Sequence, residues 1–321
     1  MLLLEKEWTL PGWHALVFVG MRVSFGPRGD GRRLGTLACP RGRGHGTQGR
    51  RLLRRDVELI DLEALPAAVE ARRLAGYEYG DFQFDIDPAS KGFLRRGVFS
   101  CYCPVAAPVA DSAMGGVALT PDRWRAFVML AHTDKAEAYR RYTEMYLASH
   151  GKHYWSDAAQ MNYYEPGYHT RIDQALGHAG SEMITELYVP AECLGDFMAR
   201  AALDFRADDV DVIYGTVRFI RADLETFLPW AKRDYACIVF NIHTPHEAAA
   251  LAALKRTTRR LIGHALALEG SYYLTYHRNA SAEQVLEAYP RFAQFLAWKR
   301  YYDPAERFQS EWYRHYRGVI G

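Results

Sequence analysis

The chain has 321 residues, of which 49% are apolar and 24% charged, and carries a formal net charge of +2. That length suits one large domain or two small ones, with the composition of a soluble globular protein and enough apolar residues for a sizeable core. So small a net charge implies neither an acidic nor a basic partner for the chain as a whole. Aromatic residues reach 13%, with 21 Tyr and 7 Trp, which suits a large cleft or interface and also dense packing.

The five cysteines, Cys39, Cys101, Cys103, Cys193 and Cys237, are odd in number and lack CxxC spacing, as in a reduced, cytoplasmic protein. The opening "MLLLEKEWTL" has no signal-peptide pattern, and "HALVFVGM" is too short to span a bilayer. The expectation is a soluble, cytoplasmic chain with no membrane span.

Residues 1–55 differ in style from the rest. The stretch 28–55 holds nine Arg and seven Gly with almost no apolar periodicity, so it reads as an irregular, disordered segment. An RG-rich tract suits RNA binding; the alternative is the remnant of a truncated or frame-shifted gene start. No aromatics interleave the arginines, which favours the remnant and argues against nucleic acid.

From Asp56 the pattern becomes regular. "VELI" (57–60) reads as a strand, and "DLEALPAAVEARRLA" (61–75) as a helix. "YEYGDFQFDI" (77–86) and "RRGVFSCYCPVA" (95–106) read as strands. Thr120 is a helix cap for "PDRWRAFVMLAH", and "KAEAYRRYTEMYLASH" (135–150) is a second helix. Residues 151–180 read as irregular. "SEMITELYV" (181–189), "VIYGTVRFI" (212–220) and "YACIVFNIH" (235–243) are strands, with a helix over 191–205. A long helix over 247–269 ends at Gly270, a helix-stop signal. "YYLTY" is a strand, and two helices, around 281–288 and 291–302, close the chain. These elements predict an α+β fold: an antiparallel sheet of about seven strands covered on one face by helices.

Three strands carry polar residues at period-two spacing. Thr216 and Arg218 share one side, Asn241 and His243 another, and Glu186 is a lone carboxylate among apolar neighbours. If all meet on the uncovered face, they form a polar floor able to bind hydroxyls; otherwise they are a solvated sheet face. The pairs His150/His153 and His243/His246 have i,i+3 spacing without a recurring third ligand, so no metal is expected. Cys101 and Cys103 share one strand face, too poor a geometry for a disulfide. Neither a Walker nor a Rossmann glycine pattern nor a nucleophile elbow is present.

"YEYGDFQFDIDPAS", "GSYYLTYHRNASAEQVLEAYPRF" and "KRYYDPAERFQSEWYRHY" resemble the C-terminal half of FAD-linked oxidoreductases of the vanillyl-alcohol-oxidase superfamily, over residues 56–321. The closing "K…DP…RF…S" pattern is similar to that of alditol oxidase, decaprenylphosphoryl-ribose oxidase and delta-24-sterol reductase. The resemblance implies a substrate domain whose sheet lies over a flavin carried by a separate FAD-binding domain. It implies oxidation of an alcohol group of a sugar, alditol or lactone by hydride transfer to flavin. Arg218 then matches an arginine that meets substrate oxygen or the reduced flavin, and Asn241 and His243 match pocket positions. Tyr273 matches a flavin-contacting tyrosine, Tyr276 falls where relatives have a lysine, and Thr216 where alditol oxidases have a glutamate. Glu186 matches a polar position, and His277 is a candidate proton carrier. Arg218, His243, Tyr276 and His277 are thus the expected catalytic set, with Glu186, Thr216 and Asn241 for substrate and Tyr273 for cofactor. Residues 1–55 match no FAD-binding domain, so the expected partners are a small polyol or sugar and a separate FAD-binding chain. The other reading is a non-catalytic remnant, or a polyol- or protein-binding module without flavin.

Overall fold

The structure is a computed structural model that describes residues 51–106, 110, 113–115, 120–155 and 167–321. The Arg/Gly-rich tract up to Arg50 lies outside the described residues, as does the middle of the irregular stretch 151–180. The chain divides into two compact units, Met1–Gly177 and His178–Gly321, with the boundary inside the stretch read from sequence as one domain.

The described part of the first unit contains strands β1 (Leu52–Asp61), β2 (Tyr79–Phe84), β3 (Arg96–Val105) and β4 (His153–Trp155). They pair antiparallel in the order β4-β1-β3-β2. Helices α1 (Leu65–Leu74), α2 (Pro121–Thr133), α3 (Lys135–Leu147) and α4 (Tyr168–Leu176) complete it. Thr120 caps α2 as expected, its side chain accepting from the backbone N–H of Arg123. α3 lies on β1 and β3, with Tyr146 packed on Val57 and Val98. Beside them Arg55 is buried under three tyrosines, its guanidinium 4.3 Å from the Tyr154 ring centre and its Nε donating to Tyr102 Oη at 2.7 Å.

The second unit contains β5 (Gly180–Val189), β6 (Val212–Ile220), β7 (Tyr235–Pro245) and β8 (Ser271–Tyr272), antiparallel in the order β6-β7-β5-β8. Among the described residues the fold is therefore α+β with eight strands and antiparallel ladders, as the sequence pattern predicts. Helices α5 (Leu194–Ala207) and α6 (Ala248–Leu266) are amphipathic and cover one face of this sheet. There Phe205 of α5 meets Phe240 of β7 edge to face, with ring centres 5.0 Å apart. Helices α7 (Ala282–Ala288), α8 (Phe292–Tyr302) and α9 (Glu311–Ile320) follow.

Several elements differ from the sequence reading. β1 begins at Leu52, inside the stretch 1–55 read as irregular, and β4 and α4 form within the stretch 151–180 read as irregular. Two further differences lie near the C-terminus. The strand "YYLTY" stops at Tyr272: the Tyr273 N–H still bonds the Glu186 carbonyl at 2.9 Å, but the chain then turns, and the Leu274 carbonyl accepts from the indole of Trp312. A third closing helix, α9, is capped by the Ser310 hydroxyl and stacks Trp312 and Tyr316 on Phe292. Its apolar stripe is made of Tyr and Trp interleaved with Arg, which hides the helical period.

Gly270 also differs in its reason. The left-handed residue after α6 is Glu269, with φ 58°. Gly270 is required by space, because a Cβ there would lie 2.0 Å from the Tyr188 carbonyl oxygen and 2.6 Å from that of Ala265. Both obstacles are backbone and cannot yield. Gly270→Ala is expected to destabilise the protein by about 1–3 kcal/mol, as overpacked core sites do. Glu269→Gly should be neutral or stabilising, because it relieves the handedness strain. Thermal melts of the two variants check the order; the opposite order would place the glycine requirement at Glu269.

Candidate functional site

The register of the second unit decides which polar residues meet. On β7, Cys237 faces Arg218 of β6 and Tyr188 of β5, Val239 faces Thr216 and Glu186, and Asn241 faces Tyr214 and Ile184. Directly opposed residues in antiparallel strands share a face. Thr216, Arg218, Glu186, Asn241 and His243 therefore lie on one face, opposite the one that carries Phe240 and the helices.

At the centre is the Glu186 carboxylate, which is buried. Its Oε1 accepts from Tyr188 Oη at 2.6 Å and from the Cys237 thiol at 3.3 Å, and its Oε2 from Tyr276 Oη at 3.4 Å. The three donors are protonated groups held so by burial: Tyr188 and Cys237 are pushed well above their ordinary values, and Tyr276 is pushed up as well. Tyr276 also meets Tyr273 edge to face, with ring centres 4.9 Å apart.

Arg218 lies on the same face at 7% exposure. Burial opposes its charge, but Cys237, Glu186, Tyr214 and Tyr276 more than offset this, and the guanidinium is held above its ordinary value. Its Nε has no hydrogen-bond partner among the described residues, and neither has the buried Asn241 Oδ1. A buried cationic donor and a buried amide acceptor thus stand ready on one surface, each costly to leave unmet.

The eight residues expected from sequence are therefore only partly assembled. Glu186, Thr216, Arg218, Tyr273 and Tyr276 gather around two adjacent rows of the sheet. Asn241 lies one row further along β7. His243 is six residues from Cys237, about 20 Å along the strand at about 3.4 Å per residue. It is set against His178 instead, Nε2 to Nε2 at 3.2 Å. His277 belongs to the other face, because its Nε2 meets Thr185 Oγ1 at 3.1 Å, and Thr185 is paired with Phe240.

Tyr188 and Cys237 escaped the sequence reading. Tyr188 had a signal, since it lies two residues beyond Glu186 in the same strand; Cys237 had none without the register. The histidine pairs of the sequence separate as well. The Val57 N–H donates to His150 Nδ1 at 3.0 Å, His153 Nδ1 is 3.2 Å from the Ala113 carbonyl, and His246 Nε2 meets Ser181 Oγ at 2.7 Å.

No protein-family model and no curated protein sequence matches the chain. Its structure is similar to that of a 4-ethylphenol oxidase from Gulosibacter chungangensis in complex with isoeugenol, at 12% identity and a TM-score of 0.42, over 79% of this chain and 51% of that one. The chain thus spans about half the length of that oxidase. No described helix is long and apolar enough to cross a membrane.

Burial lowers His277 to about 4 from 6.5, so the imidazole is neutral at pH 7. Below about pH 6.5 an unfolded histidine takes up a proton that the folded site refuses until about pH 4, so stability falls as pH drops through that window. His277→Gln, which cannot titrate, should flatten the pH dependence of unfolding free energy between about pH 6.5 and 4. Denaturant melts across that range check it; an unchanged slope would mean that His277 is not the titrating group.

Proposed function

We propose that the second unit is the substrate-binding part of an FAD-dependent oxidoreductase that oxidises an alcohol group of a sugar, alditol or lactone. The observation that carries this reading is the buried Arg218, with an unpartnered Nε, beside a carboxylate already supplied with three donors. The sequence resemblance supports it from a second direction. Arg218 and Tyr273 suit an edge of the flavin ring, a cation being what a ring that gains negative charge needs beside it. Bound FAD would supply the hydride acceptor.

The chain's own residues would then divide the work on the alcohol. Arg218 donates to the substrate oxygen and fixes the carbon that reacts. Glu186 holds the hydroxyl proton at Oε2, the oxygen with the weaker existing contact, while Tyr188 and Cys237 keep the carboxylate in place through Oε1. Tyr276 stays a donor, because burial keeps its phenol protonated. Asn241, one row along, accepts from a further hydroxyl through Oδ1. The flavin-binding portion is a separate domain or chain. His277 holds the turn against Thr185 and has no part in the reaction.

A second reading keeps the polar face as a polyol-binding module without redox chemistry; the same unpartnered donor and acceptor favour it. Calorimetric titration of the chain with a panel of alditols, sugars and aldonolactones, with and without FAD, separates the cases. At least one member of the panel should bind, and Arg218→Ala should weaken it by about tenfold to a hundredfold, the worth of a hydrogen bond to a charged group. Affinity that rises when flavin is present supports the oxidoreductase, and affinity indifferent to flavin supports the module. No binding by any of the panel would sink both.

A further inference from the structure

At the far end of β7 the fold builds a second polar cluster that the proposed reaction does not use. His243 is buried, its side chain 3% exposed, and its Nε2 lies 3.2 Å from Nε2 of His178, which is half-buried just before β5. Glu182 of β5, paired with His243 across the ladder, places Oε1 3.7 Å from the opposite ring nitrogen, Nδ1. The ring is admitted by a glycine: a Cβ on Gly180 would lie 2.4 Å from His243 Cε1 and 2.6 Å from Nε2. Any other residue at 180 would displace the imidazole from this position.

We propose that His178 and His243 bind a divalent transition-metal ion of the zinc type through their Nε2 atoms. Two imidazoles on one tetrahedral ion hold their nitrogens about 3.3 Å apart, given metal–nitrogen bonds of about 2.0–2.1 Å. The observed 3.2 Å already matches that spacing. Nε2 ligation leaves the proton of His243 on Nδ1, which Glu182 approaches to 3.7 Å, beyond hydrogen-bond length but near enough for its charge to favour that tautomer. His178, which is partly exposed, opens the site to solvent, and the remaining coordination positions are filled by water. Neutral imidazole favours zinc, copper, nickel and cobalt over magnesium or calcium, which take oxygen ligands. The site lies about 20 Å along β7 from the row of Arg218, at about 3.4 Å per residue, so it stands or falls independently of the oxidoreductase reading.

The test uses the full chain, freed of metal by chelation and then titrated with zinc chloride in a calorimeter, with no flavin or substrate present. Elemental analysis after gel filtration counts the ion, and cobalt chloride provides a visible spectrum of the coordination. One ion per chain is expected. His178→Ala and His243→Ala should each weaken binding by about a hundredfold or more, and Glu182→Gln by about tenfold to a hundredfold. Circular dichroism confirms folding; should the buried His243→Ala fail to fold, the partly exposed His178→Ala carries the decision. A wild-type chain that binds no zinc, or a folded His178→Ala that binds it as tightly as wild type, would overturn the proposal and leave the pair as an imidazole–imidazole hydrogen bond.

Discussion

The antiparallel register of β7 against β5 and β6 is the constraint on which the second unit depends. β7 is the central strand of the three, and each of its residues decides what lies opposite on both sides. Because side chains alternate between faces, a slip of β7 by one residue would send Cys237, Asn241 and His243 under the helices and bring Phe240 out beside Glu186 and Arg218. Burying the apolar set of Ile238, Phe240 and Ile242 is what forbids the slip. The polar face is therefore held in register by the apolar one, and a site of buried charges rests on ordinary hydrophobic packing behind it.

That arrangement explains how Glu186 and Arg218 can both be buried. A carboxylate and a guanidinium lose their hydration when covered, and a pair under such cover is rarely a net source of stability. Glu186 recovers its hydration through Tyr188, Cys237 and Tyr276, drawn from two strands and a turn. Arg218 recovers less, since its Nε is left unmet among the described residues. An uneven balance of this kind is what a binding site needs, because a fully satisfied donor would have nothing left to offer a ligand.

Much of this was legible in the sequence, and what was not has a common cause. β6 could be read at its observed bounds, and the shared face of Thr216 with Arg218 and of Asn241 with His243 follows from period two alone. The convergence of Glu186 with Arg218 needed three strands to come together, and the alternation could only allow it. Which row each residue occupies depends on register, a long-range property, so Cys237 went unseen and His243 was grouped with residues from which it is remote. His178 and Glu182 have no signal of their own, because their meeting with His243 is set across more than sixty positions of chain. α9 was missed for a local reason, since tyrosine and tryptophan on its buried side blur the contrast on which periodicity relies.

The short edge strand β8 shows how close neighbours in sequence come to serve different faces. It pairs with β5 only at Leu187 and Tyr188. Had "YYLTY" continued as a strand, Tyr276 would have been carried along the edge of β5 in alternation with its neighbours. Instead the Leu274 carbonyl is taken by Trp312, the chain turns, and the freed segment folds back over the edge it has just left. Tyr276 then reaches Glu186 on the polar face, while His277 reaches Thr185 on the other. Two adjacent residues straddle the sheet, one set beside a buried charge and the other kept neutral by burial. The polar richness of this short stretch is thus a consequence of where the strand ends. A polar side chain at a sheet edge can bond to either face, and α9, through Trp312, decides where that edge begins.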